Sequence, residues 1–363
     1  MTTSRPLDAR ARSREALQTF EPYDPAFTPS RINLSANENT YPLPEAYLQA
    51  LRDAMASTPL NRYPDPMANE LRDAIAERHG VSRASVIVGN GGDELLFNLL
   101  FTFCGKGRGL VSCPPDFSEY ALFAQMNEVD YTAVWRRPDD FSIDVDALVE
   151  AAKGAALVVL TSPNNPTGDL LDHAVVRRLL DETDALLLVD EAYVEFAPEG
   201  ASVVSWVADN PRLMVLRTLS KAFGLAGLRC GYLVADPAVV DMLGAIRQIY
   251  SVDVLAQSVA LAAVRGRGLL APVIAQVVSE RARLASGLSR IKGVTVWPSA
   301  ANFVLARMPE AARIRACLRD EYSILVRDFS AAPGLEGCLR ITVGTPEEND
   351  CVISALTTLL EGE

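Results

Sequence analysis

The chain has 363 residues, 49% of them hydrophobic and 22% charged, enough for a folded protein with more than one core. Its 34 basic and 46 acidic residues give a net charge of −12, which argues against nucleic acid as a partner. Six cysteines lie scattered without a Cys-x-x-Cys pair, and no run of about 18 apolar residues occurs. The expectation is a cytoplasmic protein with reduced thiols and no membrane span. With only His79 and His173 available, both in polar, helix-like stretches and read as exposed or capping, chemistry based on a histidine base or histidine-held metal is disfavoured.

Residues 1–40 are broken by Pro6, Pro22, Pro25 and Pro29 and read as an arm. From 85 to 235, apolar strand-like runs alternate with amphipathic segments. The runs are 85–89, 109–113, 129–135, 156–162, 185–192, 213–219 and 230–235; the helical segments include 93–103, 117–126, 145–152 and 170–181. Continuous apolar strands between helices predict a mainly parallel sheet covered on both faces. Helices then follow over 239–250 and 252–290, the second broken near 266–272 by glycine and proline. A smaller α+β region comes last, with strands at 295–297, 302–307, 324–327 and 339–343 and a helix over 346–360.

Four segments carry the candidate chemistry, and each also has a plain structural reading. Val86 to Glu94 is a strand running into Gly91, Gly92 and Asp93 at a helix start: an anion site or a capped turn. A dinucleotide fingerprint would need glycine at 94, where Glu94 stands. The string Ser162-Pro163-Asn164-Asn165-Pro166-Thr167-Gly168 follows a buried strand, where ligand sites of open α/β sheets lie. Asp190 closes the apolar run before it, with Tyr193 three residues on. A buried carboxylate needs a cation or several hydrogen-bond donors. Lys221 ends another apolar run among small residues, flanked by Ser220 and Arg229.

Taken together, the four segments supply a phosphate cradle (Gly92, Asp93, Ser220, Arg229), a carbonyl-capturing amine (Lys221), a partner for a ring nitrogen (Asp190) and donors to a phenolic oxygen (Asn165, Tyr193). That set meets the needs of pyridoxal 5'-phosphate.

The sequence resembles the fold-type-I pyridoxal-phosphate aminotransferases of class II, and among them the histidinol-phosphate aminotransferases. The resemblance runs from about Tyr23 to the C-terminus. It is carried by Ala36-Asn37-Glu38-Asn39, Asn61-Arg62-Tyr63-Pro64, Gly91-Gly92-Asp93-Glu94, the 162–168 string, Asp190-Glu191-Ala192-Tyr193, Thr218-Leu219-Ser220-Lys221, Gly227-Leu228-Arg229, Val326-Arg327-Asp328 and Leu339-Arg340-Ile341. It implies a three-layer α/β sandwich with a mainly parallel seven-stranded sheet, plus a smaller α+β domain. The division would be an arm at 1–40 belonging to the small domain, a large domain at 41–250, and the rest of the small domain at 251–363.

The resemblance makes Lys221 the Schiff-base lysine and Asp190 the partner of the pyridinium nitrogen. It makes Arg340 the ligand of a substrate carboxylate, and Arg327 and Tyr23 ligands of a substrate phosphate. Tyr63 would reach the cofactor phosphate of a partner subunit, so a homodimer acting on small phosphorylated amino and oxo acids is implied. The ring-stacking position departs from the family's usual Pro-Pro-Thr-Tyr and reads Pro114-Pro115-Asp116-Phe117. Phe117 keeps an aromatic face, and Asp116 adds a negative charge. An aromatic aminotransferase and a threonine-phosphate decarboxylase remain alternatives on the same scaffold. A non-catalytic module of a transcription regulator is a third, disfavoured by the charge and the short arm.

Overall fold

The computed structural model describes residues 7–21 and 29–362, so Tyr23 lies outside the described residues. The arm contains two short 3-10 turns, Arg10–Arg12 and Glu15–Leu17. It also contains a strand that the sequence does not announce, β1 (Ile32–Leu34), whose Ile32 and Leu34 are buried. Two helices absent from the sequence expectations follow, α1 (Glu45–Ser57) and α2 (Asn69–His79).

The large sheet then builds up as β2 (Val86–Gly89), α3 (Gly91–Phe103), β3 (Leu110–Ser112), α4 (Glu119–Met126), β4 (Tyr131–Ala133), α5 (Val145–Ala152), β5 (Leu157–Thr161), α6 (His173–Glu182), β6 (Leu186–Asp190), β7 (Leu213–Thr218) and β8 (Gly231–Val234). Its order is β2-β8-β7-β6-β5-β3-β4. Only β8 runs against its neighbours.

Alternation along these strands explains the continuous apolar runs. Val158, Leu187, Val189, Val215 and Val234 face one core, while Leu157, Val159, Leu188, Met214 and Leu233 face a second. Successive side chains point to opposite faces, and both faces are covered. Leu95, Leu96 and Leu99 of α3, with Tyr120 of α4, close the second core.

The rest of the chain is α7 (Pro237–Ile246), α8 (Val254–Arg265), α9 (Ala271–Ser289), β9 (Thr295–Val296), β10 (Phe303–Arg307), α10 (Ala311–Asp320), β11 (Ile324–Asp328), β12 (Cys338–Thr342) and α11 (Pro346–Glu361). A 3-10 turn, Arg267–Leu270, separates α8 from α9, and the chain bends by 69° there. The second sheet has the order β1-β11-β12-β10-β9, with β1 parallel to β11. The arm is thus stitched into the C-terminal sheet, while α8 packs on α1 and α2. No single helix among the described residues is long and apolar enough to cross a membrane.

The expectation of exposed or capping histidines is corrected for both. His173 is half-buried behind the Asp172 cap, its Nε2 3.1 Å from the Ala201 carbonyl and its ring 4.9 Å from that of Trp206. His79 is neither exposed nor a cap: it is half-buried, with Nε2 3.0 Å from the Tyr232 hydroxyl, and burial pushes its pKa down to about 3. The residue lies on the buried side of α2, which the weak period of 69–79 conceals.

Candidate functional site

The C-terminal ends of β2, β5, β6 and β7 converge on a cavity of about 390 Å³, where open parallel sheets bind ligands. Gly92, Asp93, Phe117, Asn165, Asp190, Tyr193, Ser220, Lys221 and Arg229 all line it. A second cavity of about 620 Å³ opens from it, sharing Phe117, Asn165, Tyr193 and Lys221 and adding Arg327 and Arg340 from the small sheet.

One end of the first cavity is built for an anion. Several helices here carry an aspartate cap, such as Asp144 on α5 and Asp172 on α6, but Asn90 places no side-chain cap on α3. The first amides of α3 therefore remain for a ligand. Gly91 has φ +82°, and a Cβ there would lie 2.6 Å from the Arg229 guanidinium. A Cβ on Gly231 would lie 2.7 Å from the Gly92 amide nitrogen. Two glycines thus let β8 and Arg229 close in on the helix start. Arg229 donates to the Asp93 carboxylate at 3.0 Å. The Asp93 side chain therefore aims the guanidinium, and its own share in an anion site is its backbone amide. The Thr218 hydroxyl donates to Ser220 Oγ at 2.9 Å, leaving the Ser220 proton to point elsewhere.

The floor is a carboxylate. Asp190 is buried; its Oδ2 accepts from the Tyr120 hydroxyl at 2.8 Å and its Oδ1 from the Ala192 amide at 3.0 Å. It forms no ion pair among the described residues, and burial raises its pKa to about 6. The Tyr120 hydroxyl also meets Thr161 Oγ1 at 2.7 Å. Opposite stands the amine of Lys221, donating to the Ala36 carbonyl at 2.9 Å and 5.8 Å from the Tyr193 ring centroid.

Two further donors are oriented by neighbours. Arg340 donates to Asn165 Oδ1 at 2.5 Å and to the Ser35 carbonyl at 2.7 Å, which turns the Asn165 amide nitrogen away. Asn37 Nδ2 donates to the Tyr193 hydroxyl at 3.0 Å, so the phenol proton is left to donate. The Asn165–Pro166 peptide is cis. Phe117 packs edge-on against Tyr120, with ring centroids 5.6 Å apart.

Of the residues singled out from sequence, Tyr63 alone among those described stands apart from the cavities. It is 81% exposed and stacks on Tyr250 at 4.7 Å. The sequence reading gave no role to Tyr120, Thr218, Ser35 or Asn37. Tyr120 stands three residues after Phe117 in the segment expected to be helical from 117, and that spacing alone links it to the site, although α4 itself begins at Glu119. Asn37 belongs to the Ala36-Asn37-Glu38-Asn39 motif, which by itself names no partner for it.

Residues 29–356 match the aminotransferase class I and II family. The chain belongs to that family. It is 37% identical over 349 residues to the histidinol-phosphate aminotransferase of Thermoanaerobacter pseudethanolicus, an alignment covering 96% of this chain and 98% of the relative. Among solved structures, the histidinol-phosphate aminotransferase of Sinorhizobium meliloti, in complex with pyridoxal-5'-phosphate, superposes with a TM-score of 0.88 at 26% identity, covering 97% of this chain and 98% of that one. The L-threonine-O-3-phosphate decarboxylase of Porphyromonas gingivalis has the same fold, with a TM-score of 0.81 at 28% identity, covering 91% and 99%.

Proposed function

We propose that this aminotransferase uses pyridoxal 5'-phosphate and moves the amino group of histidinol phosphate to 2-oxoglutarate. The observation that carries the cofactor is Asp190: an ionisable carboxylate, buried without a cation, in the same cavity as an amine and a helix-start anion site. A protonated pyridine nitrogen would supply the missing cation. The donor set fits the rest of the molecule. The α3 amides, Ser220 and Arg229 would hold the phosphate, Phe117 would offer the ring an aromatic face, and Asn165 and Tyr193 would donate to the ring oxygen.

When bound, pyridoxal phosphate supplies an aldehyde that captures the amine and a ring that absorbs the electron pair left at the donor Cα. The chain does the remainder. Lys221 Nζ holds the cofactor and then carries the Cα proton as general base and acid. Asp190 keeps the ring nitrogen protonated. Arg340 takes a carboxylate through two parallel N–H groups, and Arg327, with Tyr23, takes a phosphate.

Identity to histidinol-phosphate aminotransferases along nearly the whole chain supports this donor, as do the two arginines in the second cavity. We further propose a cytoplasmic homodimer. The exposed Tyr63, Leu60 and Ile249 side chains give an apolar face of the kind buried between subunits, with Tyr63 reaching the partner's cofactor. The large domain spans 41–250; the arm and residues 251–363 form the small one.

The test is a donor screen of the cofactor-loaded protein by absorbance. Histidinol phosphate is expected to convert the bound cofactor to its aminated form with a higher kcat/KM than phenylalanine, and threonine phosphate to release no carbon dioxide. Preference for phenylalanine, or carbon dioxide from threonine phosphate, would replace the reading with the corresponding alternative.

A further inference from the structure

The second cavity has two walls of opposite charge. Arg327 and Arg340 come from the small sheet; Asp116 and Glu119 come from the segment leading into α4 and from its first turn. Phe117 lines the cavity beside the acids, and the Phe329 ring lies under both guanidinium groups, 5.9 Å from Arg327 and 5.6 Å from Arg340. The cationic wall meets the needs of a phosphate, and the acidic wall has no part in that role.

Asp116 is the more unusual of the two acids. Its Oδ2 accepts from the Ser112 hydroxyl at 2.6 Å, and Ser112 in turn meets the Tyr131 hydroxyl at 2.9 Å. The nearest cation, Arg136, is committed elsewhere: it pairs with Asp169 at 2.8 Å and donates to the carbonyls of Cys113 and Phe141. Asp116 makes no ion pair among the described residues, and burial raises its pKa to about 6. A carboxylate in that setting is costly unless a cation or a strong donor joins it. One that lines a ligand cavity can receive that partner from the ligand.

Histidinol phosphate carries a phosphate at one end and an imidazole at the other, and the imidazole bears N–H donors and takes up a proton near neutral pH. Resting on the donor assignment above, we propose that Asp116 is a specificity-determining residue. It accepts a hydrogen bond from the donor's imidazole in the same cavity in which Arg327 takes the phosphate. Glu119 adds negative potential on the same wall, and Phe117 gives the ring an apolar face. A neutral carbocyclic ring leaves the carboxylate desolvated and unmatched, so the acid selects against phenyl side chains as well as for imidazole.

The test uses two amine-free probes that bind without turnover, 3-(imidazol-4-yl)propyl phosphate and 3-phenylpropyl phosphate. They are titrated into the cofactor-loaded protein by calorimetry. In the wild type the imidazole probe is expected to bind more tightly. Asp116→Asn, which can still accept from Ser112, is expected to reduce the preference for the imidazole probe about tenfold, and Asp116→Thr to do the same. In turnover the change falls in KM rather than kcat. A merely structural role for Asp116 would weaken both probes together, so parallel losses overturn the proposal, as does an unchanged ratio. If the wild type transaminates histidinol phosphate and the ratio does not move, this inference alone fails. If the wild type does not act on histidinol phosphate at all, the donor assignment fails and takes this inference with it.

Discussion

Asp190 and Glu191 are neighbours at the end of β6, both buried, yet they serve two different regions. Glu191 faces a closed network: Arg217 pairs with it at 2.7 Å, and Ser202 and the Val203 amide donate to it at 2.8 Å each. Arg217 goes on to Glu195 at 3.0 Å, which meets Arg78 at 3.2 Å. Asp190 faces the cavity and has only a phenol and one amide. Strand alternation sends consecutive residues to opposite faces. The lesson is in the accounting of charge. Where a buried acid serves the scaffold, the protein itself supplies the cation; where it faces the cavity, no cation among the described residues joins it.

The sharpest way to break that contrast is Arg217→Met. It strips Glu191 of its cation, and a loss of about 3–5 kcal/mol in stability is expected, read by thermal or denaturant unfolding. Unchanged stability would mean that the network does not hold the sheet end together.

Asp190→Asn is expected to do the opposite. It should cut kcat/KM by on the order of 10²–10³ while the cofactor-stripped protein melts at or above the wild type at pH 7. The sign follows from burial, which raises the Asp190 pKa to about 6. The folded state therefore holds a proton that the unfolded state has released between the ordinary carboxylate range and pH 6. Stability contributed by the protonated form is lost as pH rises through that window, and asparagine removes the loss. Cofactor binding runs the other way. It should strengthen as pH rises through about 6, because only ionised Asp190 pairs with a protonated ring nitrogen, and this limb should vanish in the asparagine variant. A limb that persists in the variant would assign it to another group.

The smallest expected effect is that of Tyr120→Phe. It removes the hydroxyl that donates to Asp190 and costs about 1–3 kcal/mol, mostly in cofactor affinity. It should also raise the pH midpoint of that binding, since this hydrogen bond holds the Asp190 pKa down. A lowered midpoint would mean that the phenol does not stabilise the ionised acid.

Much of this site was legible before any coordinates. Lys221, Asp190, Asn165 and the glycines at 91 and 92 stand at the ends of apolar runs, and a parallel sheet gathers such ends on one edge. The strands of the large sheet were readable for the same reason: burial on both faces leaves an uninterrupted hydrophobic signal. The helices at 45–57 and 69–79 are absent from the sequence expectations. The second is mostly polar with a weak period; the first buries Tyr47 and Leu51 on one face, and both helices pack on α8.

Short strand β1 shows the same limit, since three residues carry no period and become a strand only beside β11, nearly three hundred positions away. The sequence by itself determined which candidate groups stand at the strand ends, because such groups declare themselves by type and by position. Only the tertiary structure decided the pairings: Tyr120 under Asp190, Arg340 against Asn165, Asn37 on Tyr193, and Asp116 left without a cation. Each depends on residues far apart in the chain meeting at hydrogen-bond distance, and no local pattern encodes such a meeting.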